Sequence, residues 1–125
     1  MTPPTKVFVS YARPDRGLAE KLFRVLHTLP VEVWSEDQLV ASENWPDELR
    51  SRIRDSQFFL LLLTPKTLDS SWVHQELGAA WALGKRIVAV ATDQRLVKRL
   101  PVDLIGLETV PVGEMERLEE ILQAA

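Results

Sequence analysis

The sequence predicts an α/β fold, a doubly wound, five-stranded parallel sheet with helices on both faces, and three observations predict it. Short apolar runs alternate with segments of helical periodicity along the chain, and the connections between them are short. One run, Gln57-Phe58-Phe59-Leu60-Leu61-Leu62-Leu63, has no polar alternation at all, which a strand covered on both faces requires. Such alternation implies right-handed crossovers, and if the strand order is flavodoxin-like, 2-1-3-4-5, as expected, the switch point lies between the first and third strands. Ligands bind beyond the carboxyl ends of those strands, so a site is expected near Ser10 to Arg13 and Thr64 to Ser71.

The first strand is Val7-Phe8-Val9, ended by the polar turn Ser10 to Asp15. Leu18, Leu22, Leu26 and Leu29 recur at helical spacing, with Asp15 as N-cap and Pro30 as the stop. Val31 to Trp34 reads as the second strand, and Ser35 to Asn44 as a long polar loop of the kind that carries function. Asn44 can cap a helix with Pro46 near its start and Trp45, Leu49 and Ile53 as its apolar stripe. After the apolar third strand, Ser71 is the expected cap of a helix from Trp72 to Leu83, with Gly84 in the C′ position. Ile87 to Ala91 and Leu107 to Val112 complete the strands. Glu114 to Leu122 forms a closing helix with Met115, Leu118 and Leu122 inward, and Thr92 to Gly106 reads equally as a short helix or a loop.

At 125 residues the chain is expected to be one domain, and a module this short is also what would be cut from a longer receptor-like protein. With 46% apolar residues against 26% charged, it belongs with folded rather than disordered chains. A net charge of -3 and no basic run argue against binding nucleic acid. The absence of cysteine, with only His27 and His74 as imidazoles, argues against a metal site. No apolar run approaches the roughly 20 residues of a membrane span, and no signal-like stretch precedes the first strand, so a cytoplasmic location is expected. Neither GxGxxG, GxxxxGK[ST] nor GxSxG occurs, which removes a bound dinucleotide cofactor, a phosphate loop and a serine-hydrolase elbow.

The informative stretch is Ser71-Trp72-Val73-His74-Gln75-Glu76-Leu77. At roughly 100° per residue, Val73, Leu77, Ala80 and Trp81 cluster on one face, the expected core face, and Trp72 and Glu76 lie one turn apart on its flank. A carboxylate and an indole are thereby expected at the border of core and solvent, over the cleft. On spacing alone the plainer reading is an ordinary surface carboxylate beside a packing residue. His74 and His27 are expected at the surface.

Val7-Phe8-Val9-Ser10-Tyr11 resembles the opening box of Toll/interleukin-1 receptor (TIR) domains, and Trp34 to Trp45 resembles their second strand and BB loop. Leu62-Leu63-Thr64-Pro65 and Ser70-Ser71-Trp72-Val73-x-x-Glu76-Leu77-x-x-Ala80 resemble their central strand and next helix. The boxes keep the family's order over about four-fifths of the chain. The family's loop glycine is matched by Ser42 and its acidic position by Glu36 or Asp37, and the end of the chain is short for the family. In NAD⁺-cleaving members the glutamate of the WxxxE pattern is catalytic, which the resemblance carries to Glu76, with Trp72 beside it. It implies NAD⁺ as substrate rather than cofactor, nicotinamide and ADP-ribose or a cyclic isomer as products, bacterial defence signalling, and TIR–TIR self-association.

NAD⁺ cleavage asks for little beyond one well-placed carboxylate, because nicotinamide leaves from a cation and the ribose becomes oxocarbenium-like. Ser10 and Tyr11 would line the substrate pocket, Arg13 would meet the pyrophosphate, and Trp34 or Trp72 would stack on a base. The competing reading is an adaptor that self-associates without chemistry. A phosphoacceptor receiver domain is disfavoured, since the places for its acidic cluster and its aspartate hold Ser10-Tyr11-Ala12 and Thr64-Pro65.

Overall fold

The computed structural model describes residues 3–38, 45–100 and 107–123. Its strands are β1 (Thr5–Ser10), β2 (Val31–Ser35), β3 (Phe58–Leu63), β4 (Arg86–Ala91) and β5 (Glu108–Pro111). The helices are α1 (Arg16–Leu26), α2 (Trp45–Asp55), α3 (Ser71–Ala82) and α4 (Leu118–Gln123). All four strand pairings are parallel, as the alternation predicts, and the sheet order is β2-β1-β3-β4-β5, the flavodoxin-like order expected.

The two-residue period of the strands sorts the core into two layers. Phe8, Phe59, Leu61, Leu63, Ala89 and Ala91 point to the face covered by Leu49 and Ile53 of α2 and Val73, Leu77 and Ala80 of α3. Val7, Val9, Phe58, Leu60, Leu62, Val88, Val90 and Val110 point to the other, where Ala19, Leu22 and Leu26 of α1 meet Met115, Leu118 and Leu122. All six residues of β3 are buried, three toward each layer.

Local chemistry sets the element ends, and in two places it differs from expectation. Asp15 precedes α1 but makes no cap bond, because its Oδ2 accepts from Thr64 Oγ1 at 2.5 Å and so ties the turn after β1 to the end of β3. The cap of α3 is Ser70, whose Oγ accepts from Val73 N–H at 3.3 Å, while Ser71 is the exposed first helical residue. At the other end Gly84 has φ +70, and Gly84 N–H and Lys85 N–H bond back to the Trp81 and Ala80 carbonyls, closing a Schellman motif. The segment before residue 101 contains a 3-10 helix, Gln94–Arg99, and the closing helix starts as 3-10 turns over Val112–Arg117. The Asn44 cap, Ser42, the Trp45 side chain and the end of the Thr92 to Gly106 stretch lie outside the described residues.

The predicted core face of α3 is rotated. Trp81 is 54% exposed and Glu76 only 3% exposed, the reverse of what apolar clustering suggests. On an ideal helix Glu76 lies about 60° to one side of Val73 and Trp81 about 80° to the other, so the helix can bury one flank only. The sheet offers a hydroxyl on the Glu76 side, which makes that rotation tolerable. Trp81→Ala should therefore cost at most about 1 kcal/mol in urea unfolding, and Leu77→Ala about 2 to 5 kcal/mol. Equal losses would place Trp81 back in the core.

Candidate active site

Ser10 is the last residue of β1 and, two positions after Phe8, faces α3. Its Oγ–H donates to Glu76 Oε1 at 2.8 Å, with Ser10 1% exposed. Glu76 Oε2 is also shielded from solvent and has no hydrogen-bond partner among the described residues. Burial pushes the Glu76 carboxyl up from its ordinary 4.5 to about 8; the Ser10 hydrogen bond opposes that rise, and the nearby charges of Glu36 and Asp37 add to it. Glu36 and Asp37 sit in the 3-10 turn after β2, and Asp37 accepts a hydrogen bond from the Tyr11 hydroxyl. At neutral pH the carboxyl is therefore mostly protonated.

Two recesses flank this buried pair. A polar cleft of about 780 Å³ lies beyond the carboxyl ends of the strands, lined by Tyr11, Arg13, Glu36, Lys66, Asp69 and Trp72 among others. A more apolar groove of about 620 Å³ runs between α2 and α3, lined by Leu49, Ile53, Arg50, Arg54, Ala79 and Leu83, with Glu76 and Trp72 in its wall. Trp72 is the side chain common to both. The cleft is where the switch point predicts it, whereas Glu76 borders the groove, with its Oε2 shielded from solvent.

Of the residues the sequence singled out, Tyr11, Arg13 and Trp72 come together in the cleft, and Ser10 and Glu76 meet beneath it. Trp34 lines neither recess. Its indole packs against the α2–α3 layer, donates Nε1–H to Glu32 Oε1 at 2.9 Å, and has the Arg52 guanidinium 3.4 Å above its ring. Glu76 is in the interior rather than at the border, for the reason given above. His27 is exposed as expected, whereas His74 is half-buried with Nε2 shielded and no hydrogen-bond partner among the described residues. Sequence reasoning missed Lys66 and Asp69, although both fall in the stretch expected to line the site. It also missed the groove, whose only signal was that Leu49 and Ile53 share a face of α2.

Residues 7–121 match the TIR domain family. The chain belongs to it. This TIR domain is 26% identical, over an alignment of 92 positions that takes in 67% of the chain, to a putative cyclic ADP-D-ribose synthase of Cytobacillus dafuensis, and it spans 24% of that relative's length. Among solved structures it is similar in fold to the CMP N-glycosidase BcmB of Clostridium botulinum, with a TM-score of 0.64 and 18% identity over 97% of this chain and 100% of that one. A 2-deoxyribosyltransferase of Leishmania mexicana gives a TM-score of 0.63 and 17% identity over 96% and 98% of the two chains. Among the described residues of the TIR domain, no helix is long and apolar enough to cross a membrane, and no His, Cys, Asp and Glu group is placed to hold a metal ion.

An acid whose folded-state pKa exceeds its unfolded value stabilises the fold while protonated. That contribution is complete below about 4.5 and is lost as pH rises through about 8. Urea unfolding across that interval should show the wild type losing on the order of a few kcal/mol relative to Glu76→Gln, which keeps an acceptor for Ser10 and cannot ionise. Parallel profiles for the two proteins would mean that Glu76 is ionised throughout.

Proposed function

We propose that this TIR domain cleaves the nicotinamide–ribose bond of NAD⁺, with Glu76 as the catalytic carboxylate. The observation that carries the reading is the state of Glu76: buried, held at Oε1 by Ser10, and with Oε2 unpartnered among the described residues at the wall of an open groove beside Trp72. Most buried carboxylate oxygens are hydrogen-bonded, so an unpartnered one on a side chain that borders a recess supports a functional role. The name of the Cytobacillus dafuensis relative, a putative cyclic ADP-D-ribose synthase, supports the same chemistry.

When the C1′–N bond of NAD⁺ breaks, its electron pair moves onto the pyridinium nitrogen and neutralises it, and positive charge passes to the ribose. A carboxylate fixed beside that ribose, in a site poor in water, stabilises the charge where it develops. Burial favours the protonated carboxyl at neutral pH, and a cationic pyridinium placed against it favours the ionised form. Substrate thus prepares its own counter-charge, and the proton leaves on binding. Water attacking C1′ gives ADP-ribose and a proton, while a nucleophile from the adenine end gives a cyclic isomer. In the cleft, Arg13 and Lys66 are the cations available to the pyrophosphate, and Tyr11 and Trp72 the rings available to the ribose and base. Trp34 is less suited to stacking on a base than its sequence position suggests, since Arg52 already covers one of its faces. TIR–TIR self-association in a bacterial defence response is the setting this activity fits.

Glu76→Gln should lower NAD⁺ cleavage by about 10²-fold or more, the scale of losing one transition-state-stabilising group. The exposed control Glu116→Gln should keep most of the rate. Folded Glu76→Gln protein retaining over half the activity would remove Glu76 from the chemistry. For the wild type, kcat/KM should rise with pH and level off above about 8, because the working form is the carboxylate. A profile falling over that range would make Glu76 a proton donor instead. If neighbouring copies complete the site, specific activity should climb with protein concentration, and a flat dilution series would argue for a self-sufficient monomer. A wild type inactive even when concentrated would favour the adaptor reading.

A further inference from the structure

We infer that Ser10 is a positioning residue that acts through Glu76 and does not contact the substrate: its hydroxyl pins Oε1 and leaves Oε2, without a partner among the described residues, as the oxygen free to act on a side chain that borders the groove. This rests on the reading of Glu76 as the catalytic group. Ser10 is 1% exposed and lines neither the cleft nor the groove, so no ligand in either recess reaches its oxygen directly. It occupies a strand position on the face where Phe8, Phe59 and Leu61 supply only hydrocarbon. In that surrounding a hydroxyl persists only if it is paired, and its partner is Glu76, 66 positions away.

The pairing has two consequences for the carboxyl. Because Oε1 is fixed, rotation of the carboxyl about its terminal bond is stopped, and Oε2 keeps one direction. Because the Ser10 O–H donates, it favours the ionised form, against burial and against Glu36 and Asp37. Arg50 and Arg54 of α2 line the groove that has Glu76 in its wall. Tyr11, at the end of β1, spends its hydroxyl on Asp37. Ser10 is the one described group that both bonds the carboxyl directly and is itself beyond the reach of solvent.

The test compares wild type, Ser10→Ala and Ser10→Thr, with Phe8→Leu as a control that loosens the same layer without touching the hydrogen bond. Carbon-13 NMR of glutamate-labelled protein, with the Glu76 resonance assigned through Glu76→Gln, reads the titration midpoint; steady-state assays with NAD⁺ read kcat and KM. Ser10→Ala should raise the midpoint by about one pH unit, the size of one charge-assisted hydrogen bond. Assayed at a pH above the midpoints of both proteins, where binding releases no proton, it should lower kcat about tenfold or more with KM little changed; across the pH range the acid limb of the rate profile should move upward in step, and Ser10→Thr should rescue both. Phe8→Leu should lower the melting temperature and leave the midpoint in place. An unmoved midpoint in Ser10→Ala would overturn the inference, and so would a raised KM at constant kcat at that high pH, which would make Ser10 a substrate contact. Wild-type protein that consumes no NAD⁺ would refute the proposed reaction, while the titrations would still decide whether Ser10 governs Glu76.

Discussion

A strand with six consecutive buried residues has no side left for water, and β3 is such a strand. Its backbone groups are paired with β1 and β4, and its side chains need hydrocarbon above and below. Helices must therefore lie on both faces of the sheet. That obligation carries α3 onto the layer that contains Ser10 and fixes which flank of the helix is shut in. The buried carboxyl follows from the covering of β3.

Enclosing Glu76 works against the stability of the domain once the carboxyl ionises. A group with a pKa near 8 in the folded chain and 4.5 outside it is under electrostatic tension at neutral pH. Two nearby acidic side chains, Glu36 and Asp37, increase that tension, and one serine relieves part of it. A cation arriving in the groove would relieve more of it than solvent can, which is the sense in which such a site is prepared for a positively charged ligand.

Much of this was legible in the residues. The apolar run of β3 and the spacing of Leu18, Leu22 and Leu26 report burial directly, so a central strand and a covering helix followed from them, while the strand order and the location of the cleft rested on expecting a flavodoxin-like topology. The rotation of α3 was not legible, because apolar clustering rewards Trp81 and penalises Glu76 while the deciding partner, Ser10, lies on a distant strand. Strand alternation beyond Phe8 placed Ser10 on that face, but only the packed structure brings the two oxygens together. Trp34 was misleading in a similar way, since a one-dimensional pattern does not reveal that Arg52, 18 positions later, occupies its ring. Ser70 rather than Ser71 as the cap is an ambiguity built into two adjacent serines.

Trp72 stands between the polar cleft and the apolar groove and supplies wall to both. The same ring packs against the core layer formed by α2 and α3, so its place is set from inside the domain. Whatever lodges in either chamber meets that one indole, and a change of side chain there reshapes both chambers at once.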